Sequence, residues 1–286
     1  MTLSHKNRKG RMHTTSSPKT STLPPFDKYF YYFNSVQSPT EDARFLESVY
    51  VKARGRVPLV FREDFCGTFT NCCEWVKRSP RHVAHGVDLD AEPIEYGKEH
   101  YLPKLTAKQQ ERVHLHRNNV LGTKLPTADV ICAQNFSYFI FKERVTLKKY
   151  FKNCLRTLNK DGVFILDCFG GPKCQEANEE VSEQGDEPNV FDYYWDQDSF
   201  DPLTNEGMFY IHFKRKGEKR REKVFTYDWR LWTLPELKDL LLEVGFSKVD
   251  ILWEGSTEDG EGDGNFVAVE KGEDCDAWVA YLAAYK

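Results

Sequence analysis

Residues 58–70 read Pro58-Leu-Val-Phe-Arg-Glu-Asp-Phe-Cys-Gly-Thr-Phe-Thr70 and carry the strongest structural signal of the chain. An apolar run ends in two acids, and a turn that contains one glycine leads into a helical pattern. A second apolar run, His82-Val-Ala-His-Gly-Val-Asp88, ends in an acid 21 residues after Gly67. This layout is typical of a βαβ unit in which the turn admits a nucleoside ligand and the second acid accepts hydrogen bonds from its ribose.

The glycine content of the turn separates the two ligands that fit such a unit, a dinucleotide and S-adenosylmethionine. A dinucleotide needs backbone N–H groups around its pyrophosphate, and its fingerprint uses three glycines. Here Gly67 stands alone between Phe65 and Phe69, whose side chains would keep a phosphate away. The turn therefore favours S-adenosylmethionine, which has no phosphate.

The motif Glu63-Asp-Phe-Cys-Gly-Thr-Phe69 resembles the first motif of the class I S-adenosylmethionine-dependent methyltransferases, Asp/Glu-x-Gly-Cys-Gly-x-Gly, with phenylalanine at the two flanking glycine positions. Three further segments match that family's pattern: Gly86-Val-Asp-Leu-Asp90, Asn118-Asn-Val120 and Ala133-Gln-Asn-Phe-Ser-Tyr138. The resemblance is firm over residues 58–170 and looser over 228–286. It implies methyl transfer with S-adenosylmethionine as the cofactor.

The resemblance also assigns cofactor contacts. It implies that Glu63 binds near the amino-acid end, that Asp88 accepts from both ribose hydroxyls, and that Asn119 contacts the adenine, on which Val120 packs. The other cofactor-binding candidates lie in the turn and after the fourth strand: Gly67, Thr68 and Asn135. The residues alone leave other interpretations open, since Glu63 suits a solvated loop or a helix cap and Asn119 suits a turn. Asp90 is predicted to cap the next helix.

Alternating strand and helix patterns predict an α/β fold, a seven-stranded doubly wound Rossmann-like methyltransferase sheet. After the fifth strand the pattern changes to a polar loop over 171–190. Two strands, Met208–Phe213 and Val224–Arg230, then predict an antiparallel β insertion at about residues 190–232. Between them lies a basic run, 214–223, which suits either a solvated hairpin tip or a phosphate-binding hairpin.

The predicted organisation is a disordered basic tail (1–25), an N-terminal helical lid segment (26–57) and a methyltransferase domain (58–286). A transit peptide is the alternative for the tail. The aromatic cluster 26–33 suits either a cofactor lid or an apolar segment packed on the sheet edge.

The net charge is −4, and without the five basic residues of the tail 35 Lys and Arg face 44 Asp and Glu, a balance of −9. This balance argues against nucleic acid as a partner.

Eight cysteines without a C-x-x-C pair indicate reduced thiols in a cytoplasmic protein. No apolar run reaches the length of about 20 residues that crosses a membrane. His114 and His116 share a strand face, but two histidines need further ligands, so no metal is predicted.

The function predicted is methyl transfer to a small or medium-sized molecule. The candidate bases are Tyr138, His212 and Asp228, and the substrate-binding candidates are Tyr138, Arg230 and Trp232. Arg230 suits a substrate carboxylate, or a pairing with Asp228 or Glu236. The segment Asn135-Phe-Ser-Tyr138 lacks the Asn/Asp-Pro-Pro-Tyr signature of enzymes that methylate exocyclic or amide nitrogens, which counts against those acceptors. A protein or RNA methyltransferase, or a non-catalytic partner protein with the same fold, remains an alternative. The sequence leaves the oligomeric state open.

Overall fold

A computed structural model describes residues 24–186, 189–257 and 262–286. Apart from Pro24 and Pro25, the predicted basic tail and its alternative as a transit peptide lie outside these residues. Among the described helices, none is both long enough and apolar enough to cross a bilayer. All eight cysteines are unpaired, seven of them buried and Cys275 exposed.

The main sheet has eight strands. They are β1 (Val60–Asp64), β2 (Val83–Asp88), β3 (Val113–Arg117), β4 (Ala128–Ala133), β5 (Leu158–Gly170), β10 (Lys248–Ser256), β11 (Gly262–Val269) and β12 (Trp278–Tyr285). Their order is β11-β10-β12-β5-β4-β1-β2-β3. Five neighbouring strands, β3, β2, β1, β4 and β5, are mutually parallel. Strand β12 lies between β5 and β10 and is antiparallel to both. The predicted fold class is confirmed, with β11 as an eighth strand on the edge.

Seven α-helices accompany the strands in the described part of the chain. They are α1 (Lys28–Val36), α2 (Pro39–Arg54), α3 (Thr70–Arg78), α4 (Ala91–His100), α5 (Ala107–Gln110), α6 (Arg144–Thr157) and α7 (Leu234–Val244). Helices α2 and α3 pack on one face of the sheet, against Phe61, Val130 and Ile165. Helices α6 and α7 pack on the other face, against Ile131, Phe164 and Leu166. Strands that are buried on both faces tend to carry continuous apolar runs, and such runs mark β4 and β5 most clearly, whereas the edge strand β3 is only half-buried.

The β insertion forms a separate antiparallel sheet of four strands, β6 (Asn178–Gln184), β7 (Phe191–Asp201), β8 (Glu206–Arg215) and β9 (Arg221–Arg230). The prediction of a loop over 171–190 and of only two strands was therefore wrong, and the insertion begins before residue 190. Strand β6 escaped notice because it is an edge strand with mostly exposed, acidic side chains, a composition that protects edges from further pairing. The hairpin turn predicted near Gly217 is present, with φ +81° at that glycine.

Helix α1 joins the insertion to the rest of the molecule. The buried ring of Tyr31 lies 4.7 Å from the ring of Phe191 and 5.7 Å from that of Phe213. At the start of the helix, Asp27 caps α1 and accepts a hydrogen bond from the Tyr96 hydroxyl of α4 at 2.6 Å. The helix thus lies between the insertion sheet and the carboxyl ends of the parallel strands.

Candidate functional site

A cavity of about 290 Å³ lies at the carboxyl ends of β1, β2 and β4, and we refer to it as the strand-end cavity. Its lining comes from the glycine turn, two strand ends, helix α1 with the link to α2, and strand β9: Tyr29, Tyr32, Gln37, Glu63, Phe65, Cys66, Gly67, Thr68, Asp88, Asp90, Pro93, Gln134, Asn135, Ser137, Phe225 and Tyr227. Five predicted cofactor residues meet here: Glu63, Gly67, Thr68, Asp88 and Asn135. Ligands of open parallel sheets bind at this edge.

The turn after β1 keeps a left-handed backbone although two of its glycine positions hold phenylalanine. The φ angles are +58° at Phe65, +50° at Gly67 and +50° at Phe69. Packing holds the phenylalanines in this conformation: Phe69 is fully buried, and an added Cβ on Gly97 of α4 would lie only 2.4 Å from its ring. The phenylalanines therefore do not alter the path of the backbone, and Gly67 still faces the cavity.

Asp88 is oriented by backbone amides at the end of β2. Its Oδ2 accepts from the Gly67 amide at 2.8 Å and its Oδ1 from the Asp90 amide at 2.9 Å. Each carboxylate oxygen retains a lone pair for a further donor. The prediction for Asp90 is confirmed, since its Oδ1 accepts from the Glu92 amide at 2.9 Å and caps α4.

Glu63 supplies a buried carboxyl group at the other side of the turn. It accepts from the Asn71 amide nitrogen at 2.9 Å and from the Cys72 thiol at 3.4 Å. Burial raises the pKa of Glu63 to about 8, and burial likewise raises the pKa of the nearby Asp42 to about 6. Within the described residues no lysine or arginine pairs with either group, so this end of the cavity suits a ligand cation.

Two adjacent left-handed residues follow β4. Asn135 and Phe136 both have φ +56°, and the carboxylate of Asp167 accepts from their amides at 2.6 and 2.9 Å. Burial raises the pKa of Asp167 to about 7. Such strained backbone persists only where neighbours hold it, and it clusters at functional sites.

The two adenine candidates lie outside the lining of the strand-end cavity, and their contact with adenine stays a prediction. Asn119 is an exposed turn residue whose Oδ1 accepts from the Leu121 amide at 2.8 Å. Val120 is buried in the main core, and its carbonyl accepts from the Asn153 side chain at 3.1 Å. Neither lines the strand-end cavity.

The three substrate-binding candidates, Tyr138, Arg230 and Trp232, also lie outside the lining of the strand-end cavity. Tyr138 is fully buried and donates to the Asp167 carbonyl at 2.6 Å, and burial raises its pKa well above the usual value. Trp232 is buried and donates to the Phe141 carbonyl at 3.1 Å. Arg230 lies over the Trp232 ring, donates to the Lys142 carbonyl and pairs with Glu236, which is one of the predicted alternatives. These residues hold the end of β9 against the loop that precedes α6.

The two other base candidates are occupied by structural contacts. Asp228 pairs with Lys142 at 2.5 Å on an exposed surface. His212 is buried beside a bulge between β8 and β9, where its Nδ1 accepts from the Lys223 amide at 2.8 Å and its Nε2 lies 3.1 Å from Asp196. Neither lines the strand-end cavity.

Lining residues that were missed in the sequence include Phe225 of β9 and Gln134. Tyr29 and Tyr32 of α1 belong to the aromatic cluster 26–33, which was predicted to form either a cofactor lid or an apolar segment on the sheet edge. A period of two places Phe225 and Tyr227 on one strand face and Asp228 and Arg230 on the other. That signal separates the two sets, but the sequence does not tell which set faces the ligand.

No protein-family model and no curated protein matches this sequence. Solved structures do match its fold. An S-adenosylmethionine-dependent methyltransferase from Clostridium acetobutylicum has a TM-score of 0.66 at 18% identity, with 90% of this chain and 97% of that chain covered. CalS10, an amino pentose methyltransferase from Micromonospora echinaspora, gives 0.65 at 12% identity with 93% and 99% covered. The sugar N-methyltransferase KedS8 from Streptoalloteichus gives 0.62 at 14% identity with 97% and 99% covered. The chain therefore has the fold of the class I S-adenosylmethionine-dependent methyltransferases.

Proposed function

We propose that this protein is an S-adenosylmethionine-dependent methyltransferase that acts on a small or medium-sized molecule. The observation that carries the proposal is the meeting of Glu63, Gly67 and Asp88 in one cavity at the carboxyl ends of the parallel strands. The similar solved structures support it, since all three are described as methyltransferases and CalS10 was solved with S-adenosylmethionine bound.

The chemistry of the lining fits each part of this cofactor. Asp88 would accept from the ribose hydroxyls, and the carboxyl group of Glu63, which has no cationic partner among the described residues, would accept from the ammonium of the amino-acid end. Aromatic faces of Tyr29, Tyr32 and Tyr227 suit a sulfonium through cation–π contact. Burial raises the pKa of Tyr32 to about 12 and that of Tyr227 well above its ordinary value, so these hydroxyls stay neutral and protonated.

Methyl transfer from a sulfonium is an in-line displacement, and the bound cofactor supplies both the methyl group and its leaving group. The protein's share of the work is to align the acceptor and exclude water. Helix α1 and strand β9 cover the strand-end cavity and perform that exclusion. Neutral tyrosines on these two elements stabilise positive charge without accepting a proton.

The other candidate functions have less support. An RNA substrate would use the basic run, yet Arg220 pairs with Glu179 and stacks on Tyr194, and Arg215 pairs with Glu218. A non-catalytic role was suggested by Phe65 and Phe69, but the turn keeps its left-handed path around both. A cytoplasmic location agrees with the unpaired cysteines and is proposed on that ground.

Binding of S-adenosylhomocysteine to the purified chain, measured by calorimetry, tests the proposal, with NAD as the control. We expect S-adenosylhomocysteine to bind and NAD not to bind. Asp88→Ala should weaken S-adenosylhomocysteine binding at least about tenfold, since a hydrogen bond to a charged group is worth roughly 1.5–3 kcal/mol. Asp90→Ala should instead lower stability by about 1 kcal/mol through loss of a helix cap. Binding of NAD alone, or equal losses of affinity in both variants, would contradict this assignment of the site.

A further inference from the structure

A second cavity, of about 390 Å³, adjoins the strand-end cavity on the side of the insertion. Its lining comes from the segments after β4 and β5, from β5, β10 and β12, and from the insertion sheet: Phe136, Phe169, Lys173, Cys174, Asn178, Glu180, Trp195, Gln197, Glu254, Ala277, Trp278 and Val279. Phe136 belongs to the strained pair after β4, and its two neighbours, Asn135 and Ser137, line the strand-end cavity. The two cavities thus share one short stretch of backbone.

The walls of the second cavity are aromatic. Phe136 and Phe169 meet edge to face at 4.6 Å, and Trp195 stacks on Phe209 at 5.5 Å. Trp278 lies directly over Gly170, where an added Cβ would come within 2.4 Å of its ring. Four ring systems around a space of this size offer π faces to a cation and flat apolar surfaces to the body that carries it.

The charges of the second cavity are predominantly negative. The exposed Glu180 and the half-buried Glu254 both line it, and Glu254 Oε1 accepts from the Gly264 amide at 2.9 Å. Neither carboxylate lies within ion-pair distance of a lysine or arginine in the described part of the chain. The single basic residue, Lys173, is held by Asp276 at 3.0 Å. The buried amide of Gln197 is used within the wall, where its Nε2 donates to the carbonyls of Lys173 and Glu176 at 3.0 Å. Two carboxylates without a cationic partner beside aromatic faces favour a positively charged guest.

We propose that the second cavity binds the methyl acceptor and that this acceptor is an aliphatic amine. The inference rests on the proposed function, because it places the amine nitrogen beside the Asn135–Ser137 segment that both cavities share. It agrees with the absence of the Asn/Asp-Pro-Pro-Tyr signature, which argues against exocyclic and amide nitrogens but not against aliphatic amines. Two of the similar structures, an amino pentose methyltransferase and a sugar N-methyltransferase, are described in terms consistent with such an acceptor.

The transfer step balances as follows. The amine enters as an ammonium ion and passes one proton to Glu180 or Glu254, and from there to solvent, which frees the nitrogen lone pair. The nitrogen then forms a bond to the methyl carbon while the carbon–sulfur bond breaks, and the bonding pair returns to sulfur. The products are an N-methylammonium ion and S-adenosylhomocysteine. Glu180 and Glu254 line the cavity that holds the amine, so their carboxylates are the proton acceptors. Tyrosines of the strand-end cavity remain protonated throughout.

Two matched probe pairs test the proposal: 2-phenylethylamine against 2-phenylethanol, and glucosamine against glucose. The full chain is incubated with each probe and methyl-labelled S-adenosylmethionine, and products are read by mass spectrometry. Binding of each probe to the chain saturated with S-adenosylhomocysteine is measured by calorimetry. We expect at least one amine to be methylated and to bind about tenfold or more tightly than its hydroxyl partner.

The double variant Glu180→Gln and Glu254→Gln should raise the KM for that amine about tenfold or more and leave S-adenosylhomocysteine affinity unchanged. Glu183→Gln, an exposed glutamate on the same strand β6, is the matched control and should change neither value. Methylation of an alcohol as readily as its amine, an unchanged KM in the double variant, or no binding or methylation of any probe would overturn the amine assignment. Failure of the unmodified chain to bind S-adenosylhomocysteine would instead overturn the proposed function.

Discussion

At the scale of single residues, Phe69 shows how a position can keep the left-handed backbone that is typical of glycine although it holds another residue. A left-handed backbone costs a non-glycine residue about 1 kcal/mol or more. Burial of a whole phenylalanine ring contributes more than that, since removal of such a ring costs roughly 3–5 kcal/mol. Gly97 provides the space for the ring. The compensation thus comes from a helix that follows the next strand, which no local motif could indicate.

Phe69→Gly should therefore destabilise the protein although it restores the glycine of the family's motif. We expect a loss of about 2–4 kcal/mol in the free energy of unfolding, measured by urea denaturation. Asn205→Gly is the control, because Asn205 also has a left-handed φ of +58° but is only half-buried. It should change stability by less than about 0.5 kcal/mol. A gain of stability in Phe69→Gly would show that backbone strain outweighs the packing of the ring.

Glu63 gives the free protein a specific pH dependence. Burial raises its pKa from an ordinary 4.5 to about 8. The folded state then holds this proton more tightly than the unfolded state. The resulting stabilisation is complete below about pH 4.5 and is lost as the pH rises through 8. Glutamine has a similar shape and does not titrate, so the Glu63→Gln variant should not lose this stabilisation as the pH rises.

The difference in Tm between Glu63→Gln and the unmodified chain should accordingly be near zero at pH 5 and positive at pH 9. Thermal unfolding without ligand, recorded across that range, measures it, with Glu183→Gln as the exposed control. The same variant should bind S-adenosylhomocysteine more weakly, because glutamine offers no charge to the ammonium group. A constant Tm difference from pH 5 to pH 9 would mean that Glu63 titrates normally in the folded protein.

At the scale of elements, strand alternation divides the two acids that end β1. Glu63 faces α3 and lines the strand-end cavity. Asp64 lies on the opposite face of the sheet, against α6, where it forms a buried ion pair with Arg62 at 2.9 Å and accepts from the Tyr150 hydroxyl at 3.0 Å. Arg62 is itself fully buried and also donates to the Thr157 hydroxyl at 2.7 Å. The sequence places both acids at the strand end, and the family resemblance selected the one that lines the cavity.

Asp64→Asn should destabilise the fold by about 3–5 kcal/mol, because it leaves the guanidinium of Arg62 buried without its counter-ion. The paired change Arg62→Met with Asp64→Leu removes both charges and should recover most of that loss. Chemical denaturation of the three proteins provides the comparison. If the single and the double variants were equally destabilised, the charge of Arg62 would not be the cause.

The elements also show what the sequence could and could not predict. Strands β1, β2, β4 and β5 were found because they are largely buried and carry apolar runs, whereas the edge strand β3 is only half-buried. The acids that end β1 were found because a known turn follows them. The insertion sheet has one face to solvent and a polar edge strand, so its periodic signal is weak and β6 was taken for a loop. Tyr138, Arg230 and Trp232 were assigned to substrate on position alone. Their actual partners, such as the Phe141 carbonyl, come from segments about 90 positions away for Arg230 and Trp232.

At the scale of the whole molecule, helix α1 is one of the contacts between the two sheets near the site. Another is the packing of Phe139 and Phe169 against Phe209 and Trp229, with ring centroids about 6.0 Å apart. Tyr31 packs into the small core of the insertion with Phe191, Ile211 and Phe213. On the same helix Tyr29 and Tyr32 line the strand-end cavity, and both approach Phe225 of β9. The wall of the cavity therefore depends on a core that contains no predicted cofactor residue.

Tyr31→Ala should loosen α1 and weaken cofactor binding without unfolding the main sheet. Loss of the buried ring removes the contact that holds α1 to β7 and β8, so hydrogen exchange should accelerate over residues 28–36 and stay unchanged in β1, β4 and β5. S-adenosylhomocysteine affinity should fall about tenfold, since both cavity tyrosines lose their support. Phe30→Ala is the matched control, because Phe30 lies on the same helix but is 39% exposed, and it should leave exchange and affinity nearly unchanged. Unchanged affinity in Tyr31→Ala, with faster exchange over 28–36, would show that the cofactor site is complete without α1, and the role of residues 26–57 as a lid would then have to be abandoned.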